Sequence, residues 1–135
     1  MTRWQNLRRV ICAAAALPLL AIGMPSVAQG SMALLSKLDR GGWELRFRDG
    51  SAARRICVRD GSELIQIQHS GSCNRFVVED GGNFLTVQYT CRGNGYGRTS
   101  LRRESASLVQ IESQGIEGGQ PYSFSAEARR TGACK

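Results

Sequence analysis

Histidine occurs once, at His69, proline only three times, and aromatic residues make up just 7% of the 135-residue chain. A single histidine rules out a His-based metal cluster, and any catalytic triad would have to pass through His69. No G-x-S-x-G elbow or comparable nucleophile motif accompanies it. Cys57, Cys73, Cys91 and Cys134 contain no C-x-x-C knuckle, which argues against structural zinc. Long apolar runs are missing too, since the stretch from Val10 to Gly23 is too short for a comfortable membrane span. A 41% apolar content is too high for a disordered chain, and the 16 glycines lack the three-residue period of collagen. One small globular domain remains.

The first residues read as an address. Arg3, Arg8 and Arg9 precede the apolar run with no acid among them, and Ser26 and Ala28 stand three and one positions before a cut ahead of Gln29. This is the pattern of a secretory signal peptide, residues 1–28. The flanks of Arg8-Arg9 do not match a twin-arginine signal, and Cys12 stands at the wrong end of the apolar run for lipidation. The expected location is the periplasm, with a secreted form as the alternative, and no transmembrane segment after processing. Removing three arginines lowers Lys+Arg from 18 to 15 against 11 acids, so the formal charge falls from +7 to +4. Export and this modest charge exclude nucleic acid as the expected partner.

Residues 29–41 form a lead-in in which Met32, Leu34, Leu35 and Leu38 fall at near-helical spacing, either a short helix or an apolar approach to the first strand. From Gly42 to Lys135 the period becomes two. Trp43, Leu45 and Phe47 alternate with Glu44, Arg46 and Arg48, and the run stops at Asp49-Gly50. Similar runs follow over Arg54–Arg59, Leu64–His69, Phe76–Glu79, Leu85–Cys91, Arg98–Glu104, Leu108–Ser113 and Tyr122–Arg129. Asp80-Gly81-Gly82-Asn83 is a strong hairpin signal, and Gly93–Gly97 reads as a Gly-rich bend between strands. Seven or eight short strands with tight links predict an all-β domain, a single antiparallel meander curled into a barrel or a strongly bent sheet.

Beyond residue 28 the cysteines number four, which in an oxidising compartment predicts two disulfides. Cys57 and Cys73 alternate against their larger apolar neighbours (Ile56 and Val58; Phe76 and Val78), whereas Cys91 and Cys134 fall in register with theirs. Strand parity therefore predicts Cys57 with Cys73 and Cys91 with Cys134.

Of the 15 basic residues after residue 28, 13 are Arg. Arg46 and Arg48 stand two apart on one strand face and are the candidate anion-binding pair, because a guanidinium forks onto phosphate or carboxylate. No catalytic residue, cofactor or metal ligand is assigned. The run Gly41-Gly42-Trp43-Glu44-Leu45, the spaced Cys57 and Cys73, the strand ending in Cys91 before a Gly-rich stretch, and Ala128-Arg129-Arg130-Thr131-Gly132-Ala133-Cys134 resemble the small exported proteobacterial proteins grouped as domain of unknown function 3617. The resemblance covers Gly41 to Lys135. It implies a periplasmic or secreted β-rich domain and supplies no catalytic residues. This chain lacks the Pro- and Met-rich insertion that many members carry after the first strand.

The expected function is a non-enzymatic binding module for an envelope component or anionic ligand. A lysozyme-inhibitor-like, protein-binding domain is the alternative, although its basic charge would repel a basic lysozyme. An envelope hydrolase is a third reading, served only by His69 and scattered carboxylates.

Overall fold

A computed structural model of the chain describes residues Gly30 to Lys135; the expected export segment, residues 1–28, lies outside the described residues. Alternating side chains produce seven strands: β1 (Gly41–Phe47), β2 (Arg54–Val58), β3 (Cys73–Asp80), β4 (Phe84–Cys91), β5 (Gly95–Ser105), β6 (Leu108–Glu117) and β7 (Gln120–Gly132). All neighbours are antiparallel in one sheet of order β2-β1-β7-β6-β5-β4-β3. The alternation works as the sequence predicts over β1, where Trp43 and Leu45 are fully buried, and over β4, where Leu85, Val87 and Tyr89 point into the same core. Leu101, Val109, Ile111, Ala126 and Ala128 continue that inner face.

The sheet departs from the expected architecture in two ways. It is not closed into a barrel, because β2 and β3 each end the strand order without pairing to one another. Nor is it one sequential meander: β3 to β7 run in order, while the β1–β2 hairpin joins the far side of β7. The predicted strand over Leu64–His69 is absent. Gly61 adopts a left-handed backbone (φ 88°) and opens a 3-10 turn at Ser62–Leu64. The Glu63 carboxylate accepts from the backbone N–H groups of Arg59 and Gly61 at 3.1 Å each. Consecutive Leu64 and Ile65 are both fully buried, which an alternating strand does not allow.

This β2–β3 link serves both unpaired edges. Arg54 of β2 donates to the Ile67 carbonyl at 2.9 Å, and Arg75 of β3 donates through Nη2 to Gln66 Oε1 at 2.8 Å. The lead-in is a single 3-10 turn at Leu35–Lys37 rather than a regular helix. It covers the inner face with Leu34, Leu35 and Leu38. Its backbone is tied down by Met32 N–H to Asp80 Oδ2 (2.9 Å) and by Asp39 N–H to the Ala106 carbonyl (2.8 Å). The indole N–H of buried Trp43 donates to the Asp39 carbonyl at 2.9 Å.

Two disulfides are present, but their partners differ from the parity prediction: Cys57 joins Cys134 and Cys73 joins Cys91. The expected pairing rests on Phe76 and Val78 marking the buried side of β3. They are instead 61% and 42% exposed, and Val77 packs on the core. A register shift between Val77 and Glu79 leaves Val78 as an extra residue, so the apolar run changes face within the strand. Cys73 then lies directly opposite Cys91 across the β3–β4 ladder, with Cα atoms 4.3 Å apart.

Candidate functional site

Four residues in register across β4 to β7 build the polar centre of the inner face. Tyr89 pairs with Gly97, Gly97 with Gly115, and Gly115 with Tyr122. A Cβ at Gly97 would collide with the Tyr122 hydroxyl and the Tyr89 ring, and one at Gly115 would collide first with the Tyr96 carbonyl and the Gly97 Cα and then stand 3.0 Å from the Tyr122 hydroxyl. The two bare positions thus make the space in which the tyrosine hydroxyls meet at 2.8 Å. His69, delivered by the β2–β3 link, packs edge-on to Tyr89 with ring centroids 5.2 Å apart.

Hydrogen bonds order this cluster. The Ile116 carbonyl can only accept, so His69 Nε2–H donates to it at 2.9 Å. The Tyr89 hydroxyl bridges the other two groups, 3.2 Å from His69 Nδ1 and 2.8 Å from the Tyr122 hydroxyl. Burial, followed by the bond to Tyr122, holds the Tyr89 phenol well above its ordinary pKa. Thr99 and Ser113 close the floor with a 2.8 Å hydroxyl pair. At the end of the predicted Leu64–His69 strand the expectation is a partly exposed strand or turn histidine; His69 is in fact 3% exposed, with both ring nitrogens engaged. A buried, satisfied cluster of this kind fixes the link to the sheet and offers no base to solvent.

The candidate anion pair is placed on the other side of the sheet. Arg46 Nε bonds Glu44 Oε1 at 2.8 Å, and this bond, with the Glu44 charge and a smaller pull from Glu127, raises its pKa. Arg48 lies just past β1 and donates to Gln110 Oε1 at 2.8 Å. Each has its own partner, and Arg46 lies among carboxylates.

Arginines gather instead where the two sheet edges face the lead-in. Arg40 precedes β1, Arg59 follows β2 and Arg75 lies on β3, and all three line one cleft of about 400 Å³ with Met32, Leu35 and Val58 along its apolar side. Asp60 is the carboxylate in the cleft lining. Its bonds to the Ser62 hydroxyl and amide hold it below the usual carboxylate range, with a smaller contribution from Arg75 and Arg40. Nearby Glu63 is occupied by backbone N–H groups. The sequence singles out Arg46 and Arg48 and misses this group, because strand order sets β2 and β3 at opposite edges and only the folded chain brings Arg40, Arg59 and Arg75 to one cleft. Among the described residues, no group of three His, Cys, Asp or Glu could hold a metal ion, and no helix is long and apolar enough to cross a membrane. Comparison with protein-family models, with curated proteins and with solved structures gives no match to this chain.

Proposed function

We propose that the chain is an exported, non-enzymatic binding module of the cell envelope that takes an anionic ligand in the cleft between its two sheet edges. The observation that carries this reading is the convergence of Arg40, Arg59 and Arg75 from three separate segments on one cleft whose neighbouring carboxylates already accept hydrogen bonds. Guanidinium groups present flat forks to phosphate or carboxylate, while Met32, Leu35 and Val58 offer apolar surface beside them. The resemblance to domain of unknown function 3617 and the signal-peptide pattern supply the periplasmic setting, and two disulfides are consistent with it. N-terminal sequencing of the exported protein should begin at Gln29.

The test is co-sedimentation with lipopolysaccharide and with phosphatidylglycerol vesicles at low and at physiological salt. Arg40→Glu with Arg75→Glu should weaken binding about tenfold, ~1.4 kcal/mol, and the remaining affinity should fall with salt because mobile ions screen exposed charge over about 8 Å. Arg46→Glu with Arg48→Glu should have the smaller effect. Failure of the wild type to bind either material would end the anionic-ligand reading. A larger loss in the Arg46/Arg48 variant would move the site to the outer face.

A further inference from the structure

The outward side of the sheet carries an arrangement that the arginine cleft does not use. Phe76 on β3 and Tyr96 on β5 are 61% and 51% exposed. Their register partners, Gln88 and Thr90, both alternate outward against buried Val87, Tyr89 and Cys91, so the two rings project from the same face. Two strand spacings and two residues of offset place their Cα atoms roughly 12 Å apart. Gln88 and Arg98 form a direct cross-strand pair between them, and neither side chain has a hydrogen-bond partner among the described residues. Beside Tyr96, a shallow depression of about 380 Å³ is lined by Gln88, Arg98, Gln114, Tyr122 and Ser123, with the backbone of Gly97 and Gly115 in its floor.

From these features we infer that this face binds a linear polysaccharide. Stacking a partner's apolar faces on these exposed rings would remove them from water and favour binding. A protein partner would call for a contiguous apolar centre ringed by polar groups. Here the two rings are separated by amide and guanidinium groups, which suits a ligand whose flat apolar ring faces alternate with hydroxyls. Gln88 and Gln114 both donate and accept, as hydroxyls do, whereas Arg98 only donates. The distance between the rings requires an extended chain that reaches from one to the other, so a monosaccharide meets only half the site.

The experiment is affinity electrophoresis and NMR titration of the full oxidised chain with cellohexaose, with chitohexaose and with solubilised peptidoglycan strands, which separates neutral glucans from amino-sugar polymers. Wild type should bind at least one hexamer more tightly than its monosaccharide. Tyr96→Ala and Phe76→Ala should each weaken it about tenfold, ~1.4 kcal/mol, while Phe84→Ala, a 51% exposed ring on the same face but four residues along β4 from Gln88 and off the line joining the two rings, should leave it unchanged. Both disulfides should remain formed in all variants on peptide mapping. The Arg40/Arg75 variant should bind the hexamer normally, so the two proposals fail separately. No retardation by any of the three polymers, or retardation that Tyr96→Ala and Phe76→Ala leave intact, would overturn the polysaccharide site.

Discussion

Gly42 lies opposite Cys57 in the β1–β2 ladder, and the chain after β7 crosses over its bare Cα to bring Cys134 onto Cys57. A Cβ at Gly42 would stand 2.8 Å from the Ala133 carbonyl oxygen. The disulfide therefore reaches from β2 across β1 to the residues following β7, closing 77 residues of sequence separation. By chain entropy a closure of that length contributes ~4.5 kcal/mol, against ~3 kcal/mol for the shorter bond.

Gly42→Val should shift the C-terminal crossing and lower stability by roughly 1–3 kcal/mol, the usual cost of forcing volume into a filled site. Urea denaturation of the oxidised protein measures it, and non-reduced peptide mapping of the wild type should show Cys57 linked to Cys134 and Cys73 linked to Cys91. A variant as stable as wild type would mean that the crossing does not depend on the missing side chain.

Gly97→Ala should be more damaging than its size suggests, because the added methyl enters the space of the Tyr89 and Tyr122 hydroxyls. A loss of about 2 kcal/mol is expected from overpacking together with a broken buried hydrogen bond. The double variant Gly97→Ala with Tyr122→Phe, which removes the colliding hydroxyl, should recover part of that loss. Additive losses would indicate that the two positions act independently.

The Tyr89 phenol is held neutral in the folded protein by burial and by Tyr122, so its pKa is higher folded than unfolded. Between an unfolded value of about 10 and the higher folded one, the folded state retains a proton that the unfolded chain releases. Stability from this group is thus complete below about pH 10 and declines as pH rises further. Tyr89→Phe should be less stable than wild type at pH 8, and the gap should narrow at pH 11 in brief thermal scans. A constant gap would place the alkaline loss elsewhere.

Leu34 is fully buried although it precedes the first strand, in a segment anchored to β3 through Asp80 and to the β5–β6 turn through Ala106. Leu34→Ala should cost ~2–5 kcal/mol, the range of a core leucine. A cost under about 1 kcal/mol would make the lead-in an accessory rather than a part of the core.

Strand positions were legible wherever one face was buried and the other wet. Trp43, Leu45 and Phe47 announced β1, and Gly81, Gly82 and Gly93 marked turns, whereas Gly95 to Gly97, read as part of a bend, already belong to β5. What the period could not reveal was anything dependent on register. Val78 adds one residue to β3, which moves Cys73 to the face of Cys91 and reverses the parity argument. Leu64 to His69 alternates by composition, yet Ile65, Ile67 and His69 belong to a link held by side-chain caps and by Tyr89. The tyrosine–glycine row and the arginine cleft are likewise cross-strand facts. The row joins residues distant in sequence through strand order, the cleft joins segments from opposite edges of the sheet, and single-chain periodicity carries no information about either.

Because β1 is sandwiched between β2 and the last strand of the sheet, its folding is governed by sequence made much later. The early hairpin can form locally, but one whole side of it waits for β7. Until then β1 shows a free hydrogen-bonding edge and Cys57 has no native partner, while Cys73 and Cys91 can already join within their own hairpin. Oxidation therefore has a natural sequence: the local bond closes early, and the long-range bond seals the molecule once β7 has docked. A thiol at Cys57 that reacts before that moment has no folded structure directing it to Cys134 and is open to Cys73 or Cys91, so the order in which strands arrive is itself a safeguard or a hazard for this fold.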